Sequence, residues 1–318
     1  MAWANGPGDG QGGLSMTASR LFCFGLGYTA SRLAFRLLAE GWAVAGTCRS
    51  LEAQAELREL GFDAFLFDGD GPLDDAEAAL RGTTHLLGSV PPGLDGGGGG
   101  SGDPVLACHR GDIIETGNLR WVGYLSTTGV YGDTGGASVN EDASLNPTSD
   151  RSRQRMEAEE GWLALHRDHG LPVHVFRLAG IYGPGRSALD QVRAGKARRV
   201  LKPGHMFSRI HVDDIGRVIK ASMDNPHPGR VYNLADDQPA SLSDVTAFAC
   251  ELLNAEPLPV IPFDEAAKEM STMGLSFWRD NRRIDNSRIK NELGVTLLYP
   301  DFRDGLRAIM AEDEKGGA

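Results

Sequence analysis

"GLGYTA", residues Gly25–Ala30, stands between the apolar run "RLFCF" (Arg20–Phe24) and "ASRLAFRLLAEG" (Ala30–Gly41), whose apolar residues recur at helical spacing. A glycine closing a strand permits a tight turn, a second lets a ligand approach the backbone, and a small residue three positions on lets helix and strand pack closely. Gly25, Gly27 and Ala30 fit those three roles. The N–H groups around Tyr28 and Thr29, at the head of the helix, are then unpaired and lie at the positive end of its dipole, which suits a pyrophosphate. A tight turn without a ligand is the plainer alternative, and the surrounding pattern decides between them.

That pattern alternates. "WAVAGTCR" repeats the strand signal, "LEAQAELREL" the helix and "FDAFLF" the strand; a helix near "LDDAEAALRG", the strand "THLLGSV", the helix "VLACHRGDIIETG" and the strand "WVGYLSTT" follow. Beyond them come a helix over about Arg153–His169, the strand "PVHVFRLA", a strand running into a helix in "SRIHVDDIGRVIKASM", the strand "RVYNLAD" and a helix over Ser243–Asn254. "IDNSRIKNELG" and "FRDGLRAIM" read as two short helices. Such alternation predicts an α/β fold: a Rossmann doubly wound parallel sheet with helices on both faces, here with a smaller interleaved C-terminal substrate domain. The dinucleotide-binding part is expected over residues 20–178 and 209–235, the substrate part over 179–208 and 236–312. Residues 1–19, glycine-rich and aperiodic, and 313–318 read as disordered tails, with Met1 or Met16 as the start. The loop Pro91–Pro104, with five glycines at 96–100, is either functional or a tolerated surface insertion.

The 318 residues carry 43 acidic and 32 basic side chains, a formal net charge of -11. Nucleic acid and anionic membrane are therefore not expected as partners, and a small molecule is. No apolar run reaches the length of a membrane span, so the cytoplasm is the default location. Cys23, Cys48, Cys108 and Cys250 show no C-x-x-C spacing, so neither a zinc site nor a disulfide framework is indicated.

The end of the second strand sorts the nicotinamide cofactors. An acid there binds a ribose 2′-hydroxyl and repels a 2′-phosphate; "GTCRS" offers Thr47, Arg49 and Ser50 and no acid. A guanidinium suits phosphate, so NADP(H) is expected in preference to NAD(H), unless Arg49 is simply a solvated charge. Asp68, after the third strand, is either an adenine-side contact or the cap of the following turn.

From Arg20 to about Leu306, through "GLGYTA", "YLSTTGVYGD", "RLAGIYGPGR", "RIHVDDIGRVI" and "VYNLADD", the chain resembles the extended short-chain dehydrogenase/reductases, the superfamily of nucleotide-sugar epimerases and dehydratases. "SVPP" after the fourth strand and "RIDNSRIKNELG" resemble an atypical bacterial branch described as epimerase/dehydratase-like NAD(P)-binding proteins. Ser89, in that "SVPP", is placed beside the cofactor by the resemblance. A homodimer through helices flanking the sheet is a further expectation of the family.

In that family a Ser or Thr, a Tyr and a Lys act together on an alcohol or carbonyl beside the nicotinamide. The resemblance assigns the hydroxyl role to Thr127, four residues before the tyrosine of "VYG", with Ser126 beside it; an ordinary strand role for Thr127 is the alternative. Aligned on Asn146–Pro147 and Glu159, the family's Y-x-x-x-K falls on Arg151 and Arg155. A phenol with a pKa near ~10 can give up a proton beside a cation, whereas a guanidinium with a pKa above ~12 does not cycle one at neutral pH. Arg155 can still donate to ribose hydroxyls, and both arginines also fit a charged helix face, Arg153 and Arg155 lying four residues before Glu157 and Glu159. Tyr131 is the best substitute proton donor, although packing in the sheet-helix corner suits it better; a bound water is the remaining source.

On the substrate side Pro184 and Gly185 form a turn that brings Arg186 toward the cleft. Arg193, Lys196, Arg198, Arg199 and Lys202 make a basic run that either draws an anionic substrate or is a solvated face. The family's histidine, His211, is mostly architectural, and Asp213 and Asp214 are expected to cap the helix that follows. Nucleotide-sugar enzymes often carry an arginine four residues earlier; here Phe207 stands there, which counts against such a substrate even with Arg282 and Arg283 nearby. The function expected first is an NADP(H)-dependent oxidoreductase or epimerase/dehydratase-like activity with an unconventional proton source, since Thr127 and the substrate-loop motifs persist; the alternative is a non-catalytic NADP(H)-binding sensor or scaffold.

Overall fold

A computed structural model describes residues 19–93 and 102–316. The expected N-terminal tail up to residue 18, the question of Met1 against Met16, and the glycines at 96–100 lie outside the described residues.

The chain opens as β1 (Arg20–Phe24), α1 (Tyr28–Ala39), β2 (Ala43–Cys48), α2 (Leu51–Glu59) and β3 (Asp63–Leu66). It continues through α3 (Ala76–Leu80), β4 (His85–Gly88), α4 (Pro104–Glu115) and β5 (Trp121–Thr127). After the two-residue β6 (Ser138–Val139) come α5 (Asp150–His169), β7 (Val173–Leu178), β8 (Gly180–Tyr182), α6 (Ala188–Arg193), β9 (Arg199–Leu201), β10 (Arg209–His211), α7 (Val212–Asp224) and β11 (Val231–Leu234). The last part holds α8 (Leu242–Leu252), β12 (Val260–Pro262), α9 (Phe263–Ala266), α10 (Thr272–Phe277), β13 (Arg283–Ile284), α11 (Ser287–Leu293) and α12 (Phe302–Gly316).

Seven strands form one parallel sheet in the order β11-β7-β5-β4-β1-β2-β3, the Rossmann architecture the alternation predicts. Successive residues of a strand face opposite sides, so Leu21 and Cys23 enter one core while Phe22 and Phe24 enter the other. The first core is closed by α1 through Leu33 and Leu37 and by α7 through Ile215, Val218 and Ile219; the second by α4 and α5 through Val105, Ile113, Trp162 and Leu165. The strand order reverses beside β1, so the C-terminal ends of β1 and β4 open a crevice next to the glycine turn.

A smaller core, built from Tyr182, Leu189, Val245, Ala249, Phe302, Leu306 and Ile309, lies between α6, α8 and α12. Two expectations are corrected by packing. Ile289, Val295 and Leu297, in the segment assigned to the substrate part, join the core on the sheet face instead. Residues 313–316 are not a tail: α12 runs through them, and Asp313 pairs with Arg193 at 2.6 Å. The polar end of this amphipathic helix hid its length from a reading of apolar spacing.

Gly46, in the middle of β2, explains how the first turn can lie against the sheet. A Cβ there would stand 2.6 Å from the Cys23 carbonyl oxygen and 2.7 Å from Leu26 Cγ. Gly46→Ala is expected to cost about 1–3 kcal/mol through overpacking, seen as a lower urea midpoint at unchanged slope.

Candidate functional site

Gly25 adopts φ +90°, open to glycine at little cost, and an added Cβ would also meet Val90 Cγ2 at 3.2 Å. Its N–H donates to Thr47 Oγ1 at 2.8 Å, and the N–H of Leu26 donates to the Thr47 carbonyl at 2.8 Å. The buried Thr47 thus clamps the turn from the end of β2. Around Gly27 the space for a Cβ is open, and this residue starts α1 without a side-chain cap. The first-turn N–H groups of Tyr28, Thr29 and Ala30 have no acceptor among the described residues, while Ala30 and Thr29 are buried against the fold. The arrangement is a polarised set of donors facing open space. Ser89 flanks it, its N–H donating to the Phe24 carbonyl at 2.9 Å.

At the end of β2 the Arg49 side chain is exposed and makes no hydrogen bond or ion pair among the described residues. Ser50 caps α2, accepting from the Ala53 N–H at 3.2 Å. Asp68 is exposed and accepts from the Asp70 N–H at 2.9 Å, the turn-capping contact that is one of its two expected roles.

Thr127 ends β5, half-exposed, its hydroxyl accepting from the Gly129 N–H at 3.1 Å. Ser126 is buried and donates to the Glu159 carboxylate. Tyr131, expected as the substitute proton donor, has both sides of its hydroxyl engaged. Its buried hydroxyl donates to Asn233 Oδ1 at 2.7 Å and accepts from Arg177 Nη1 at 2.9 Å. Burial pushes that phenol above its ordinary range, against a smaller opposite pull from Arg177.

Arg151, the second residue of α5, is exposed and makes no contact among the described residues. Arg155 is half-buried; its Nη1 donates to the Tyr124 hydroxyl at 3.1 Å and the Leu125 carbonyl at 2.9 Å, leaving Nε and Nη2 uncommitted. The expected helix-face pairs do not form: Arg153 pairs with Asp150, and Glu159 with Arg177 at 2.8 Å. His166 bonds the Leu171 carbonyl at 2.9 Å at the far end of the helix.

Sequence reasoning passed over the polar chain behind this site. Ser126, Glu159, Arg177, Tyr131 and Asn233 are joined by buried hydrogen bonds, and the Asn233 N–H donates to Glu141 Oε1 at 2.7 Å. The available signal was the arginine inside the strand "VHVFRL", where only His174 is otherwise polar.

The substrate side is mostly spent on structure. In the basic run Arg193 pairs with Asp313, Arg198 with Glu269 at 3.1 Å, Arg199 bonds Ser243 at 3.1 Å and Lys202 the Trp278 carbonyl at 2.7 Å. Arg282 donates to the Gly132 carbonyl at 3.0 Å and to Asp280 at 3.1 Å. Phe207 packs between His205 and Trp278, with ring centroids 4.7 and 5.1 Å away. His211 is buried between Tyr182 and Tyr299, and its Nδ1 accepts from the Asp213 N–H at 3.2 Å. It therefore caps α7 in place of Asp213 and Asp214. Asp213 instead pairs with Arg32 at 3.0 Å, and Asp214 accepts from the N–H groups of Leu298 and Tyr299 at 2.7 and 3.0 Å.

A seven-stranded parallel sheet with a glycine turn at its reversal and a hydroxyl residue ending β5 is the arrangement expected of the extended short-chain dehydrogenase/reductase class. Within the chain, residues 106–235 match the NAD dependent epimerase/dehydratase family. The chain is 45% identical to a functionally unknown conserved protein from Silicibacter pomeroyi DSS, over 93% of this chain and 99% of that one, with a TM-score of 0.84. It is also 28% identical to Protein YeeZ of Escherichia coli (strain K12), over 87% of this chain and 95% of that protein. A dTDP-glucose 4,6-dehydratase from Bacillus anthracis str. Ames, in complex with NAD, shares the fold at 18% identity and TM-score 0.73, over 94% of this chain and 97% of that one.

Proposed function

We propose that this protein binds NADP(H) at the glycine turn and acts as a cofactor-binding protein in which the family's tyrosine-driven proton transfer is not built. The observation that carries this is the Tyr131 hydroxyl held between Arg177 and Asn233. Of the other five of the six tyrosines, four have engaged hydroxyls and the fifth packs on a histidine ring. Tyr28 bonds the Pro184 carbonyl, Tyr124 accepts from Arg155, Tyr182 and Tyr232 bond Asp301 and Glu292, and Tyr299 packs on His211. When bound, the cofactor would supply hydride chemistry, and this chain's residues would hold it: the turn N–H groups at the pyrophosphate, Arg49 at the 2′-phosphate and the free N–H groups of Arg155 at a ribose.

A second reading, slow oxidoreductase or epimerase-like turnover with Thr127 polarising a carbonyl and water giving the proton, is favoured by one feature. That feature is the half-exposed Thr127 hydroxyl at the strand end. One experiment addresses both. NADPH is expected to bind about tenfold or more tightly than NADH, and Arg49→Glu to reverse that order, since a charge-assisted hydrogen bond contributes about 1.5–3 kcal/mol. Equal affinities in the parent would remove the 2′-phosphate assignment. With a panel of carbonyl compounds NADPH oxidation is expected to stay at background; turnover lost in Thr127→Val would establish the second reading instead.

A further inference from the structure

The side chain of Tyr28, the first residue of α1, leaves the glycine turn and reaches the substrate loop. Its hydroxyl donates to the Pro184 carbonyl at 3.1 Å, and the Arg186 guanidinium lies over its ring, 5.7 Å from the centroid. The loop is built to fit. Gly183 and Arg186 exchange backbone hydrogen bonds of 3.2 and 3.0 Å, and Gly185 takes φ +72° at the corner. A Cβ on Gly183 would stand 2.5 Å from the Tyr28 hydroxyl and 2.6 Å from Val212 Cγ1. Ser187 and Asp190 then lock the exit with a capping box at the start of α6. Arg186 is exposed, and its guanidinium makes no hydrogen bond or ion pair among the described residues. Most other cations of the substrate side are paired, so this one is held by an aromatic face at the end of α1 where the unpaired N–H groups lie.

We propose that Arg186 is a cofactor-binding residue: a cation delivered by the substrate loop to the pyrophosphate at the glycine turn, with Tyr28 positioning it. This rests on the reading that a dinucleotide occupies that turn. A guanidinium stacked on a ring keeps its edge donors free, and a diphosphate offers two anionic groups to that fork. Because Tyr28 belongs to the turn and Pro184 and Arg186 to the loop, occupancy of the turn and order in the loop favour each other reciprocally.

The test separates the two phosphate positions with ADP, which has a diphosphate and no 2′-phosphate, and 2′-AMP, which has the reverse. Arg186→Met is expected to weaken ADP and NADPH about tenfold or more, to leave 2′-AMP unchanged and to keep the NADPH-to-NADH ratio of the parent. Arg186→Lys should recover most of the loss, and Tyr28→Phe should shift ADP in the same direction by a smaller factor. Arg49→Glu should show the opposite split, weakening 2′-AMP and sparing ADP. Unaltered ADP affinity in Arg186→Met, with NADPH still bound by the parent, would overturn the Arg186 assignment alone. Equal weakening of ADP and 2′-AMP would overturn it as well, by showing a general loss of the site. A parent that binds none of NADPH, NADH and ADP would refute the underlying reading.

Discussion

Arg177→Met is expected to destabilise the protein by about 3–5 kcal/mol, the range for removing one partner of a buried ion pair. The Arg177 and Glu159 side chains are only 6% and 3% exposed. Arg177 donates to both Glu159 oxygens at 2.8–3.2 Å and to the Tyr131 hydroxyl at 2.9 Å. Methionine fills similar volume but leaves the carboxylate in the core with Ser126 as its remaining donor. The cost is therefore that of an uncompensated charge more than that of a lost contact. Arg177→Met combined with Glu159→Leu should be milder than Arg177→Met alone, because no charge then stays behind. Urea unfolding of the three variants measures this, and a loss below about 1 kcal/mol for the single variant would mean the pair is solvated.

Asp236→Asn should stabilise the protein at pH 8 and flatten its pH profile. Both Asp236 oxygens are buried without a hydrogen-bond partner. The cation that acts on it, Arg209, spends its Nη1 on the carbonyls of Phe207 and Ala240 at 2.9 and 3.1 Å. Burial pushes the carboxyl from 3.8 up to about 8, with Arg209 and the Gln238 N–H pulling it down and Asp237 and Asp301 adding to the rise. Between those values the native chain holds a proton that the unfolded chain has released. Stability therefore falls as pH rises through that window, by about 1.4 kcal/mol for each pH unit, and levels off above it.

The histidines act with the opposite sign. Burial pushes His85, His174 and His211 from 6.5 down to about 4. Here the unfolded chain binds the extra protons, so stability is lost as pH falls from 6.5 toward 4. The two effects together place the thermal optimum near pH 6.5. Asparagine removes the alkaline limb and leaves the acid limb to the histidines, raising Tm at pH 8 by roughly 5 °C or more. A parent whose Tm is flat from pH 6 to 8.5 would show that the carboxylate is ionised and hydrated.

The glycine turn was legible because everything it needs is local. A positive φ, a bare Cα and an uncapped helix start are properties of adjacent residues, and the alternating strands and helices around them carry their own periods. Elements such as β8, β9, β12 and β13, two or three residues long, passed unread since so few residues cannot display a period. His211 as the cap of α7 went unread for another reason: an imidazole takes that role only where burial holds it neutral, and burial belongs to the fold.

The chain by itself determined the Rossmann sheet, the place of the glycine turn, and the absence of tyrosine and lysine at residues 151 and 155. Only the tertiary structure decided what Tyr131, Arg155 and Arg186 are free to do. Tyr131 meets its partners 46 and 102 residues away, and Arg155 meets Tyr124 31 residues back across the sheet. A side chain's capacity for proton transfer or ligand binding depends on whether its polar atoms are already satisfied, and that is settled by neighbours the fold supplies.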